Sequence, residues 1–131
     1  MDVVITEWAL QSYLDLYGIF SLQEYQEKLR PDALLLKEYP NNLKFTSNAF
    51  WGPCKDKSGA IIHHGFKMKW HNIGPGRVQM RLLVVIANET AYLCNAYVKE
   101  NSAVDFREMA KLKTKIQLIR EEKFVFRGRL V

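Results

Sequence analysis

Alternating apolar and polar positions predict an antiparallel β-meander in the middle of the chain. Its three strands cover residues 66–71, 77–87 and 90–98. A Gly- and Pro-rich turn over residues 72–76 separates the first two strands, and a tight turn at Asn88-Glu89 separates the last two. Alternation with a period of two is typical of strands that bury one face against a core.

One face of the first two predicted strands is polar and strongly basic. Its side chains are Lys67, Lys69, His71, Arg77, Gln79 and Arg81. Side chains two positions apart share a sheet face, so these residues would lie together while their apolar neighbours face the core. Because no carboxylates are interleaved, such a face suits a polyanion, although an ordinary solvated sheet face has the same alternation.

Segments with helical periodicity flank the meander, after a short β-prone run at the start of the chain. Thr6 would cap a first helix, and the capping box of Ser21 and Glu24 would open a second helix that Pro31 breaks or restarts. A last helix covers residues 102–121. This order predicts a single α+β domain over all 131 residues. The N-terminal strand and helices would pack on one face of the antiparallel meander and leave the other face free for a ligand.

Two segments allow two interpretations each. Residues 48–65 form a long loop or an irregular hairpin, and His63-His64 within them form a metal-binding pair or an exposed loop pair. No further ligand residue stands at a suitable spacing, which favours the exposed pair. Residues 123–131 are expected to return to the domain as an edge strand or a packed extension, with Arg127 and Arg129 reaching the basic face; the alternative is a frayed end.

Composition and charge narrow the class of protein. The contents of 48% hydrophobic and 25% charged residues are ordinary for a globular domain. A net charge of +5, from 19 Lys and Arg against 14 Asp and Glu, favours a nucleic-acid partner. The longest apolar run, residues 82–87, is far shorter than the roughly 20 residues of a membrane span, and the N-terminus has no signal-peptide pattern. Two cysteines without CxxC spacing indicate a reducing compartment. We therefore expect a cytoplasmic protein without a metal, another cofactor or a membrane partner.

From residue 67 to residue 115 the chain resembles the RelE/ParE superfamily of bacterial toxins, in particular its HigB-like, phage Gp49-like branch. That branch shows a Trp in one strand, an Arg-Val opening the next, an apolar strand ending in aromatic-Val-Lys, and a helix near Arg-Glu-Ile. The matching segments here are Trp70, Arg77-Val78, Tyr97-Val98-Lys99 and Arg107-Glu108-Met109. The chain departs from the pattern at residues 100–105, which replace a Lys-Lys-Thr-like segment, and at Asn95, which replaces a common histidine.

The resemblance implies a RelE-like fold and a toxin that cleaves mRNA, often on the ribosome, with the 2′-OH as nucleophile and without a metal ion. It also implies a cognate antitoxin protein as partner. Arg77 and Arg81 would stabilise the transition state, and His71 or Tyr97 would transfer protons. The phosphate-binding residues would be Lys67, Lys69, Lys99, Arg127 and Arg129.

Two alternatives from other functional classes use the same basic surface. The chain could be a non-catalytic nucleic-acid-binding module, or a ParE-type inhibitor of a protein target. Incubation of the purified protein with RNA, with and without ribosomes, separates these classes from the endoribonuclease.

Overall fold

The computed structural model describes residues 1–131 as a six-stranded sheet with helices on both faces. The strands are β1 (Asp2–Thr6), β2 (Trp51–Lys55), β3 (Ile61–Ile73), β4 (Val78–Ala87), β5 (Thr90–Val98) and β6 (Phe126–Arg129). The helices are α1 (Glu7–Asp15), α2 (Leu22–Glu24), α3 (Arg30–Leu34) and α4 (Ser102–Arg120). The strand order is β2-β3-β4-β5-β1-β6, and only the pair β1 and β5 is parallel. The predicted α+β class, meander and C-terminal helix are confirmed. None of the helices has the length and apolar character needed to cross a membrane.

Capping residues and Pro31 determine where the N-terminal helices begin. The Thr6 hydroxyl accepts a hydrogen bond from the Ala9 amide, and Ser21 and Glu24 form the predicted capping box. Pro31 stands in the first turn of α3, directly after a π-helical turn over Tyr25–Leu29. Proline lacks an amide hydrogen and clashes with the preceding turn of an α-helix. The wider π turn removes that conflict. The helical segment from Leu22 to Leu34, which we call the helical arm, therefore continues past Pro31 without a break.

One face of the sheet packs against this N-terminal layer. Its core cluster holds 17 buried residues, including Trp70 of β3, Met80 of β4 and Leu93 of β5. The indole nitrogen of Trp70 donates a 2.8 Å hydrogen bond to Asp32 of α3, so the one polar group of this side chain is satisfied at the edge of the core. The apolar half of the alternation in the meander therefore faces the helices, as predicted.

The other face of the sheet is largely covered by α4, so the expectation of a face left free for a ligand is wrong. Met109, Leu112 and Ile116 of α4 pack in a second core cluster of 10 buried residues. Gly65 of β3 permits this close approach, because a Cβ there would lie 3.0 Å from Cδ2 of Leu112. The periodicity of α4 predicts an apolar stripe but does not specify the face that it covers. Polar side chains remain beside the first turns of α4, where the candidate site lies.

The two ambiguous segments are both ordered. Residues 48–65 contain an irregular hairpin, in which β2 pairs with β3 and the register shifts between Pro53 and Lys55. His63 and His64 therefore belong to β3 and not to a loop. The segment at the end of the chain returns to the sheet as the edge strand β6, paired with β1, and Leu130 after it is buried. The prediction of a docked tail is confirmed.

Candidate functional site

The first row of the site crosses three strands of the meander. In the register of the sheet, Lys69 of β3 is paired with Arg81 of β4, and Arg81 is paired with Tyr97 of β5. Directly paired residues of neighbouring strands point to the same face. Lys67 lies one row further along β3 on that face. Together with Lys99, which follows β5, the basic residues Lys67, Lys69 and Arg81 form what we call the cationic cluster.

Arg81 is the most unusual member of the cationic cluster, because it is a buried cation without a carboxylate partner. Its side chain is 4% exposed, and no ion pair involves it. Nη1 donates to the Met80 carbonyl at 3.1 Å and Nη2 donates to Oε1 of Gln79 at 3.0 Å. Nε is the only buried side-chain nitrogen or oxygen in the protein without a hydrogen-bond partner. Burial lowers the pKa of this guanidinium, so an additional anion nearby would stabilise the site.

A buried carboxylate from α4 stands next to the cluster. The Tyr97 hydroxyl donates a 2.6 Å hydrogen bond to Oδ1 of Asp105, and Nζ of Lys99 lies 3.2 Å from Oδ2 of the same carboxylate. Burial raises the pKa of Asp105, but the hydrogen bond from Tyr97 and the charges of Lys67 and Lys99 outweigh it and the net shift is downward. Burial and the bond to Asp105 raise the pKa of Tyr97. At neutral pH the pair is therefore a carboxylate bound by a neutral phenol.

The two lysines of β3 differ in what they contact. Nζ of Lys69 donates a 2.7 Å hydrogen bond to the Asn48 carbonyl, whereas the side chain of Lys67 forms neither an ion pair nor a hydrogen bond. Burial lowers the pKa of Lys69, and the positive charges of Lys67, Arg81 and Lys99 lower it further. A lysine in such surroundings gives up its proton more easily than an isolated one, which is the property required of a general base.

A second group of polar side chains lies under α4, beside the Tyr97–Asp105 pair. Nδ2 of Asn95 donates a 2.9 Å hydrogen bond to Oε2 of Glu108, and Nζ of Lys115 donates at 3.1 Å to Oδ1 of Asn95. The Lys115 ammonium also lies 5.4 Å from the centre of the Trp8 ring, a cation–π distance. Because its members satisfy one another, this group fixes the position of α4 on the sheet and needs no ligand.

The structure removes Arg77 from the cluster and places His71 against the main chain beside Lys69. Arg77 precedes β4, in a turn with φ +51°, and is exposed, so it does not share a strand face with Arg81. His71 is exposed, and its Nε2 lies 2.8 Å from the Ala49 carbonyl. Lys69 binds the carbonyl of the preceding residue, Asn48, so both side chains hold the same stretch of main chain. The predicted site residues that lie together are therefore Lys67, Lys69, Arg81, Tyr97 and Lys99.

Arg127 and Arg129 do not reach the cluster, and this part of the prediction is wrong. They lie on β6, four strand intervals from β3, or about 19 Å at the usual strand spacing. Their side chains form ion pairs with Glu7 and Asp2 at the far edge of the sheet. Sequence periodicity predicted the strand, but it contains no information on the strand order that sets this distance.

Asp105 is the site residue that sequence reasoning missed. Its segment, residues 100–105, differs from the family pattern and indicates no role for it, yet Asp105 is 8% exposed and contacts two site residues. One signal for it is present in the sequence. An aspartate in the first turn of a helix, just after a Tyr-Val-Lys strand end, is placed to meet that strand when the connection is short.

The residue types present limit what the site can bind. No group of three or more His, Cys, Asp or Glu side chains is arranged to hold a metal ion. The four positive charges of the cationic cluster suit a phosphate group, and the Asp105 carboxylate offsets part of that charge. Comparison with protein families, with curated proteins and with solved structures finds no match for this chain.

Proposed function

We propose that the protein is an endoribonuclease toxin that cleaves mRNA without a metal ion and is held inactive by an antitoxin protein. The observation that carries the proposal is the cationic cluster, in which the buried Arg81 has no carboxylate partner and an unpaired Nε. A buried arginine without a counter-ion is costly unless an anion is supplied from outside. A phosphodiester is an anion that a basic protein with this surface would bind.

The geometry supports a cleavage with defined roles. The 2′-OH attacks the adjacent phosphorus atom while Lys69, whose pKa is lowered by burial and by neighbouring cations, takes the hydroxyl proton. The negative charge that grows on the phosphoryl oxygens is stabilised by the guanidinium of Arg81. The 5′-oxygen leaves and receives a proton from the Lys67 ammonium, which has no partner in the protein. The products are a 2′,3′-cyclic phosphate and a free 5′-hydroxyl.

In this scheme Tyr97 and Lys99 position groups and do not carry protons. Burial and Asp105 raise the pKa of the Tyr97 phenol, so it stays neutral and holds the carboxylate. Lys99 binds the other oxygen of that carboxylate. The carboxylate keeps the cluster from carrying four uncompensated positive charges in the absence of RNA. A phosphate that enters the site would compete with Asp105 for Lys99.

A second candidate is a non-catalytic nucleic-acid-binding module, and the low exposure of Arg81 favours it. With Nη1 and Nη2 bound to Met80 and Gln79, this guanidinium would serve the fold, while Lys67 and Lys99 alone would bind the backbone. A ParE-type inhibitor of a protein target would use the same surface for docking.

The deciding experiment uses matched oligonucleotides that differ in one atom. An RNA and the same RNA with a single 2′-deoxy nucleotide at the preferred cleavage site are incubated with the purified protein, with and without ribosomes. The nuclease should cleave the first RNA to a 2′,3′-cyclic phosphate and leave the second intact at that site. Equal binding of both RNAs without cleavage would support the binding module, and binding of neither would support a protein target.

A further inference from the structure

An apolar cavity of about 310 Å³ lies between the N-terminal helices and the sheet. It is on the sheet face opposite to the cationic cluster. Fifteen of the 17 residues around it are hydrophobic, among them Tyr13, Phe20, Leu29, Trp70 and Leu93. Leu10, which is 37% exposed on α1, also lines the cavity, so the cavity reaches the protein surface.

The cavity exists because small side chains and a loosely seated helix surround it. Ala9 of α1, Ala33 of α3 and Ala96 of β5 line it from three different elements. None of the nine residues of α1 is buried, although Ala9, Tyr13 and nearby Leu16 contact the core. An interior is normally packed without voids of this size, because each void forfeits dispersion contacts and lowers stability in proportion to its volume.

Two polar side chains next to the cavity have their hydrogen bonds satisfied within the protein. The Ser12 hydroxyl donates to the Ala9 carbonyl at 2.9 Å and accepts from the Ala96 amide at 2.9 Å. The Trp70 indole nitrogen is bonded to Asp32. An engineered apolar cavity of about 150 Å³ stays dry and takes up benzene. A cavity of twice that volume has room for a larger apolar molecule.

Arg30 is the only charged residue that lines the cavity. One of its Nη atoms donates a hydrogen bond to the main-chain oxygen of Val131, and its remaining N–H groups have no partner in the protein. A guanidinium at the margin of an otherwise apolar cavity provides a binding point for a carboxylate, whose two oxygens match its fork of donors.

We propose that this cavity is a binding site for a small amphiphilic carboxylate, such as a medium-chain fatty acid. The hydrocarbon chain would fill the space between α1, α3 and the sheet, and the carboxylate would bind Arg30. This site does not depend on the proposed nuclease, because the cationic cluster lies on the other sheet face and shares no residue with it.

Calorimetric titration with decanoate and with decanol, both below their aggregation concentrations, tests the proposal. Decanoate should bind with one-to-one stoichiometry and raise the melting temperature. Replacement of Arg30 by Gln should weaken decanoate binding about tenfold or more, as expected for the loss of a charge-assisted hydrogen bond, and leave decanol binding unchanged. The matched control is Lys28→Gln, which removes a positive charge from an exposed residue of the same helical arm that does not line the cavity; it should bind both ligands as the natural protein does.

Filling the cavity provides an independent test. Ala33→Phe should abolish decanoate binding. Ala9→Leu, a smaller change on a different helix, should weaken decanoate binding and serves as the test if Ala33→Phe does not fold. Leu43→Ala, at an 83% exposed position away from the cavity, should bind normally. Failure of decanoate to bind the natural protein, or undiminished binding by a folded cavity-filling variant, would overturn the proposal. Equal loss of decanoate and decanol binding in Arg30→Gln would overturn the assignment of the carboxylate to Arg30.

Discussion

Tyr97 and Asp105 join the last strand of the meander to the first turn of α4 through a 2.6 Å hydrogen bond inside the protein. The bond places a negative charge next to the cationic cluster before any substrate is present. It also connects the position of α4 to the state of the site, because a movement of the helix would carry Asp105 away from Lys99 and Tyr97.

Tyr97→Phe should lower RNA cleavage and also reduce stability. The variant leaves a buried carboxylate without its phenol donor, and a hydrogen bond to a charged group is worth about 1.5–3 kcal/mol. We expect a free energy of unfolding lower by about 1–2 kcal/mol in urea titrations, since Lys99 still binds the carboxylate. Tyr92→Phe is the matched control, because Tyr92 is on the same strand and its hydroxyl forms no hydrogen bond. Equal stability of the two variants would show that the Tyr97 bond contributes nothing.

The lowered pKa of Asp105 should make the protein lose stability in acid. Its folded-state pKa lies below the unfolded value of about 3.9, because the Tyr97 hydrogen bond and the Lys67 and Lys99 charges outweigh burial. The stabilisation is therefore complete above about pH 4 and is lost as the pH falls through the folded-state value. In urea titrations between pH 7 and pH 2, the natural protein should lose more stability than Asp105→Asn does. Parallel pH profiles of the two proteins would contradict this prediction.

Arg81→Met should separate activity from stability. Removal of a transition-state cation typically lowers a rate by about 10²–10³, so RNA cleavage should fall by that factor. The melting temperature should stay the same or rise, because a buried charge without a counter-ion is replaced by an apolar side chain of similar length. Arg77→Ala, in the exposed turn, should keep cleavage within about twofold of the natural protein, as is usual for sites that touch neither substrate nor site residues. Full cleavage by Arg81→Met would remove the cluster from the mechanism.

Metal removal should leave RNA cleavage unchanged. The proposed steps use lysine and arginine for charge neutralisation and proton transfer, and no ligand cluster is available near the site. The measurement compares initial rates in EDTA and in added magnesium at constant ionic strength. Activity that disappears in EDTA and returns with a divalent ion would replace this mechanism by a metal-dependent one.

Loss of the tail should affect stability and not RNA affinity. Leu130→Ala should cost about 2–4 kcal/mol, because Leu130 is buried in the core and also borders the cavity. Val131→Ala, at a position that is 75% exposed, is the control. Deletion of residues 123–131 should not change the salt dependence of RNA binding, since Arg127 and Arg129 are paired at the far edge of the sheet. A shallower salt slope in the deletion variant would place RNA on that edge.

Local signals predicted local structure well. Asn88 and Glu89 adopt φ of +51° and +58°, the conformation that a two-residue hairpin turn requires, and Ser21 caps its helix as its spacing to Glu24 indicates. The candidate site was predicted in part, because Lys67, Lys69, Arg81 and Tyr97 alternate within strands. Alternation does not predict which helix packs on each face of the sheet.

The errors have physical causes that lie outside any short segment. The turn that begins at Gly74 includes Arg77, which has φ +51°, and β4 begins only at Val78. Arg77 therefore does not share a strand face with Arg81. Coverage of the second face depends on the connection of α4 to β5, and the remoteness of Arg129 depends on strand order. Asp105 gains its role from two residues brought to it by folding. Such relationships arise from tertiary structure, and the residues that form them have no distinguishing periodicity.

The position of β1 in the sheet has a consequence for synthesis on the ribosome. β1 is the first strand of this domain to be synthesised, but its two neighbours, β5 and β6, come much later in the sequence. Val3 and Val4 therefore stay exposed to chaperones and proteases until almost the whole domain has been translated, because pairing over such long separations forms late. A nonsense codon even within the final strand leaves β1 without one neighbour. Genetic screens for loss of function should accordingly recover chain-terminating alleles up to the last few codons of this domain.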